Sequence, residues 1–271
     1  MQGLLVKSDI STRRARNSWG TVTWQLNEIW PTGGWGSLEY GTVGFTAGQV
    51  LGGRWKPLHH FFEAHLYTDL FVVCGADARC LVKNDNPLAG FTGTLVLSLL
   101  NVSNSAVVPL NRTAVTLGPG AGAAAWLCAG GAGSPWGSTC TGWAALLAPL
   151  GVTQQGAVLM TSIEDAGGAT RYASFELLAP PSALLATAPA APNVTVAVGV
   201  PAPDGSSVPI TVSASGAALF VGLTTAAHGR FSENFFIMAA GVRILSFLPF
   251  GQLDMHALAT TLRVEHVRSY I

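Results

Sequence analysis

Charge is what this chain has least of. Only 10% of its 271 residues are Asp, Glu, Lys or Arg, and 14 basic residues balance 14 acidic ones. A basic stripe is missing, which argues against a nucleic-acid partner and against an anionic membrane surface. Long apolar runs are missing too. The hydrophobic stretches are broken by Gly or Pro, so no transmembrane helix is expected. Residues 1–20 carry Lys7, Asp9, Arg13, Arg14 and Arg16 and no apolar core of a signal peptide. Cysteines number four, with no CxxC and no histidine pair at ligand spacing, so neither a metal nor a cofactor is expected. Gly118-Pro119-Gly120-Ala121-Gly122 grazes a dinucleotide fingerprint. No Asp or Glu occurs between Asp85 and Glu164 to hold a ribose, and the segment reads as a turn. A GxSxG elbow is absent, which leaves a Ser-His-Asp hydrolase without an anchor.

What is present is apolar material. At 49% hydrophobic content the chain can build one large core or two smaller ones. The cysteines fall as local pairs. Cys74 and Cys80 flank a hairpin-like turn, and Cys128 and Cys140 bracket a Gly/Ser-rich loop. Two disulfides and an oxidising compartment are predicted, four reduced thiols being the alternative. Three glycosylation sequons, at Asn101, Asn111 and Asn193, point the same way.

Residues 4–16 read as a helix, and Gly20 to Leu26 as a buried β-branched strand. Residues 54–66 read as a second helix, with Pro57 in its first turn and Leu58, Phe61, Phe62 and Leu66 on one face. Within it, His59 and Glu63 share a face at i, i+4 and read as a surface pair. From residue 67 the grammar turns to short strands: 67–73, 94–102, 105–117, 157–164 and 170–178. Pro180-Pro181 interrupts them. A second series follows at 193–200, 208–214, 218–225, 234–238, 242–248 and 260–268, with Asp204-Gly205 and His228-Gly229 as turns. The pattern predicts two immunoglobulin-like sandwiches, 67–180 and 181–271, with residues 183–192 as a linker or a loose first strand.

Between the first strand and the second helix lies the densest chemistry. Trp24-Gln25-Leu26-Asn27-Glu28-Ile29-Trp30-Pro31-Thr32-Gly33-Gly34-Trp35-Gly36-Ser37-Leu38-Glu39-Tyr40-Gly41 puts three tryptophans beside an amide and carboxylates on a Gly-rich loop. Sugars have apolar C–H faces that stack on rings, and hydroxyls that need donors and acceptors. Trp24, Asn27, Glu28 and Trp35 are therefore the substrate-binding candidates. For Trp30 and Trp35, packing of the rim is the stronger reading, and Glu39 reads as ordering its own loop.

This motif, with Gly52-Gly53-Arg54-Trp55-Lys56-Pro57-Leu58-His59-His60-Phe61 after it, resembles the last barrel strand, loop and helix of β-mannosidases in glycoside hydrolase family 2. Gly229-Arg230-Phe231-Ser232-Glu233-Asn234-Phe235-Phe236-Ile237-Met238 and Ile244-Leu245-Ser246-Phe247-Leu248-Pro249-Phe250 resemble that family's last β-sandwich. The resemblance implies a mainly β chain: two immunoglobulin-like domains preceded, over residues 1–66, by the last strand and flanking helices of an incomplete (β/α)8 barrel. It implies that Trp24 lines the subsite of the terminal mannose and that the partners are β-mannoside oligosaccharides. It also implies that both catalytic glutamates lie on earlier barrel strands, so no catalytic residue is expected in this chain. A lysosomal, vacuolar or secreted location is expected for the full-length protein. Two rivals stand beside this reading. One is another family 2 glycosidase, of β-galactosidase, β-glucuronidase or glucosaminidase type. The other is a non-catalytic β-sandwich module that binds carbohydrate or protein.

Overall fold

The computed structural model describes residues 2–16, 18, 22–28, 34–39, 54–120, 122–126, 142–188 and 190–270. The chain is mainly β. It divides into two compact units, one of Met1–Lys7, Thr21–Glu63 and Ala191–Ile271, the other of Ser8–Gly20 and Ala64–Ala190.

Helix α1 (Gln2–Ala15) opens the chain, followed by three two-residue strands, β1 (Asn27–Glu28), β2 (Leu38–Glu39) and β3 (Arg54–Trp55), and by α2 (Pro57–His65). The helix expected over 54–66 is shorter, since Arg54 and Trp55 are strand; of its predicted apolar face Leu58, Phe61 and Phe62 are buried, and Leu66 lies just past the helix end, half-buried. Gly3 of α1 lies against Phe61, so close that a Cβ there would meet the ring at 2.5 Å. The strand expected over residues 20–26 is a correction. Residues 22–26 are not strand, and Val22 is 99% exposed. β-branched composition supplies a preference, but a strand needs a neighbour to complete its hydrogen bonds, and pairing starts only at Asn27.

The second unit is a sandwich. One sheet runs β4 (Leu70–Cys74), β5 (Cys80–Asn84), β8 (Gly122–Trp126); the other runs β10 (Thr170–Leu177), β9 (Ala157–Asp165), β6 (Phe91–Asn101), β7 (Val107–Leu117). All pairings within both sheets are antiparallel. Period-2 alternation sends Leu95, Leu97 and Leu99 of β6 inward, where they join Phe71, Val82, Leu159 and Ile163 in one core. Trp143, at the start of α3 (Trp143–Leu147), closes this core and donates its indole N–H to the Gly75 carbonyl at 2.9 Å. Outside the core, Arg14 is fully engaged. Its Nε and Nη2 reach one Asp85 oxygen at 2.8 and 2.7 Å, its Nη1 and Nη2 reach the His65 and Thr68 carbonyls at 2.6 Å, and its plane lies over Phe71. Burial pushes the Asp85 carboxyl up. The hydrogen bonds and charges of Lys83 and Arg14 outweigh that and hold it below the usual carboxylate range.

Cys74 and Cys80 face each other across the β4–β5 hairpin and form a disulfide. Cys128 and Cys140 lie outside the described residues. In the chain-entropy view, closing so short a ring contributes about 2 kcal/mol. Reduction is therefore expected to lower the urea midpoint of this unit. An unchanged midpoint with and without reductant would show that the sheet alone holds the hairpin.

Helix α4 (Pro181–Thr187) corrects the expected linker at 183–192. Pro181 sits at the first helical position, and Ala and Leu follow as good helix formers. The C-terminal part of the first unit then packs sheet β11 (Val194–Val198), β12 (Val208–Ala214), β16 (Gly241–Pro249), β14 (Gly229–Phe231) and sheet β15 (Phe236–Met238), β13 (Ala218–Thr224), β17 (Arg263–Glu265) around one core. Val208, Ile210 and Val212 of β12 point inward, as do Leu245 and Phe247 of β16. The strand expected over 260–268 shrinks to β17, because α5 (Met255–Thr261) takes its beginning. Asp254 caps α5 by accepting the Ala257 N–H at 2.9 Å.

Candidate functional site

The aromatic loop is built on a sheet of three two-residue strands. Strand β1 pairs parallel with β2, and β2 pairs antiparallel with β3. The Leu26 carbonyl accepts from the Ser37 N–H at 2.9 Å, the Leu38 N–H at 3.0 Å and the Ser37 hydroxyl at 3.0 Å. These bonds fix the chain immediately after Trp24. The Trp24–Gln25 peptide bond is cis. Trp24 is 77% and Trp35 66% exposed, so both predicted rings face solvent on one short loop structure. Trp30 lies outside the described residues, as does the side chain of Glu39. Asn27 is half-buried in β1.

Glu28 is buried and its carboxylate is engaged. Lys56 Nζ donates to Oε1 at 2.7 Å, and the Gly36 N–H donates to the same oxygen at 2.9 Å. Lys56 also donates to the Gly34 carbonyl at 3.0 Å. Glu28, one of the substrate-binding candidates, thus bonds its own loop and Lys56. Lys56 and Ser37 are site residues that sequence reading passed over, and His59 was read only as half of a surface pair. The one available signal was scarcity: in a chain with so few charges, a lysine flanked by Trp55 and Pro57 is conspicuous.

The expected pairing of His59 with Glu63 is corrected. His59 Nδ1 bonds the Ser37 hydroxyl at 3.1 Å, and Glu63 accepts from Arg230 of β14 at 2.8 Å. Burial, then the Arg230 charge, lowers the His59 pKa. His60 is pushed down to about 3 by burial, with the neighbouring His59 and Arg230 charges adding to it. Its imidazole is therefore neutral, packed against Trp55 and Phe235. Glu63 is raised by burial against the opposing pull of Arg230. Arg230 also lies over the Trp55 ring at 5.3 Å. These contacts hold α2, and with it Lys56, against the C-terminal sandwich within the first unit.

The sequons differ in setting. Asn101 accepts from both the backbone N–H and the hydroxyl of Ser103 at the β6–β7 turn, Asn111 lies within β7, and Asn193 is exposed just before β11. Among the described residues, no group of three or more His, Cys, Asp or Glu could hold a metal ion. Among the same residues, no helix is long and apolar enough to cross a membrane.

Two facing antiparallel sheets over a single core make residues 191–265 an immunoglobulin-type β-sandwich. Residues 190–270 match the family model of the mannosidase Ig-fold domain. The chain is 39% identical over 70 residues to the β-mannosidase of Capra hircus and 35% identical over 82 residues to that of Bos taurus. Those alignments take in 22% and 27% of this chain, and 7% and 8% of the two relatives. In fold, 98% of the chain superposes on 28% of the β-D-mannosidase of Dictyoglomus thermophilum, with a TM-score of 0.62 and 17% identity. It likewise superposes on 32% of the Amycolatopsis orientalis exo-chitosanase, with a TM-score of 0.63 and 13% identity. The resemblance to β-mannosidases drawn from the loop motifs thus extends to the fold, over a chain that spans less than a third of these solved relatives.

Proposed function

We propose that this chain is the C-terminal portion of an exo-acting β-mannosidase and supplies one wall of the pocket that holds the terminal mannose. The observation that carries the reading is the pair of exposed indoles, Trp24 and Trp35, on a hydrogen-bonded loop in a chain that matches the mannosidase Ig-fold domain. Flat apolar rings suit the C–H face of a sugar. The complete enzyme would release terminal β-mannose by double displacement, with two carboxylates about 5–5.5 Å apart. This chain does not provide them. Glu28, whose carboxylate is held by Lys56 and the Gly36 N–H, serves the loop rather than the reaction. The disulfide and the sequons support an oxidising, lysosomal, vacuolar or secreted setting.

The purified chain is accordingly expected to leave p-nitrophenyl β-mannoside unhydrolysed, and a protein joining it to a barrel with both carboxylates is expected to turn it over. Turnover by the chain alone that disappears in Glu28→Gln would overturn the assignment. The fold likeness to an exo-chitosanase favours one second reading, a glucosaminide substrate. Comparing β-mannoside with β-glucosaminide in the joined protein decides between them.

A further inference from the structure

Trp35 is held from both sides by a single ion pair. The peptide carbonyl before it, of Gly34, accepts from Lys56, and the peptide N–H after it, of Gly36, donates to Glu28. Lys56 and Glu28 meet at 2.7 Å, with side chains only 12% and 4% exposed. Both residues that flank the ring are glycine, and the Glu28 side chain, with the Asn27 backbone at Gly36, occupies the space a Cβ would need. A Cβ on Gly36 would come within 2.4 Å of Glu28 Cγ and 2.6 Å of the Asn27 carbonyl carbon, and one on Gly34 within 2.9 Å of Glu28 Oε1. Taking two charges out of water is costly, and apolar residues of similar size often stabilise as well. What the charges add is direction. They bond two particular peptide groups and leave the indole between them exposed.

We propose that Glu28 and Lys56 are positioning residues that fix Trp35 as a preset stacking surface for the sugar. This takes Trp35 as a binding surface in place of rim packing, and it rests on the function proposed above. A ring that is already held loses less freedom on binding than one swinging on a Gly-rich loop. The pair therefore acts on sugar affinity through Trp35, without touching the reacting atoms.

The test uses the whole chain labelled with 5-fluorotryptophan, with Trp24→Phe and Trp35→Phe assigning the fluorine resonances. In Lys56→Met the Trp35 resonance is expected to narrow and move to the position of a freely rotating indole, while the circular dichroism spectrum and the urea transition of the chain stay those of the parent and report an intact fold. Lys56→Arg is expected to restore it. Should Lys56→Met fail to fold, Glu28→Gln reads the same point, because it keeps an acceptor for the Gly36 N–H and removes the charge that holds Lys56. An unmoved Trp35 resonance in the folded variant overturns the proposal. Added β-mannobiose is expected to shift Trp35 in the parent chain and to need about tenfold more sugar in Lys56→Met. A Trp35 resonance that depends on Lys56 but ignores mannobiose would keep the positioning device and remove the sugar.

Discussion

Trp24→Ala, in a protein that joins this chain to a barrel bearing both catalytic carboxylates, is expected to lower kcat and kcat/KM together. The loss should amount to about 2–4 kcal/mol of transition-state stabilisation. The ring is 77% exposed, so its removal takes little from the core. On the proposed function, what it takes is a surface against which a distorted sugar can press. Trp35→Ala, farther along the same loop, is expected to raise KM and leave kcat nearly unchanged. Steady-state kinetics of the two variants separate these effects. The opposite pattern, with Trp35 controlling kcat and Trp24 silent, would move the subsite to the other ring.

Phe247→Ala is expected to destabilise the C-terminal sandwich by about 3–5 kcal/mol, a large share of an ordinary domain's total stability. Phe247 is fully buried, stands edge-on to Phe231 at a centroid distance of 5.4 Å, and fills the space above Gly229. Ile244, three residues earlier in β16 and 68% exposed, is the control: Ile244→Ala should change the urea midpoint little. Equal losses at the two positions would mean that the inward face of β16 has been misassigned.

The inward face of β12 was legible in the sequence, because Val208, Ile210 and Val212 alternate with Pro209, Thr211 and Ser213; in β16 both faces carry apolar residues, and the choice of Phe247 over Ile244 comes from the packed core. Helix α2 was legible too, since Pro57 and the Leu58, Phe61, Phe62 stripe are local signals. The aromatic loop was legible as chemistry. What failed had its cause at a distance. Val22 has a strand-former's side chain and no partner strand among the described residues. Strand β8 was missed because Ala-rich Gly122–Trp126 has little intrinsic β preference and is defined by its pairing with β5. His59 and Glu63 share a helical face, but Ser37 lies 22 positions from one and Arg230 lies 167 positions from the other. The Glu28–Lys56 bond spans 28 positions with no spacing rule to announce it.

Arg14 shows how much one side chain can settle by shape. Its donors terminate the last carbonyl of α2, at His65, and hold the Thr68 carbonyl where the chain leaves the helix for β4. Its flat face covers Phe71 while its edge meets Asp85. A lysine would bring the same charge to the same place, but as a point with three donors and no plane. It cannot lie on a phenyl ring and bond a carboxylate and two carbonyls together. The position is therefore closed to a charge-conserving exchange, and drift at residue 14 is limited by geometry even where the net charge of the chain would not change.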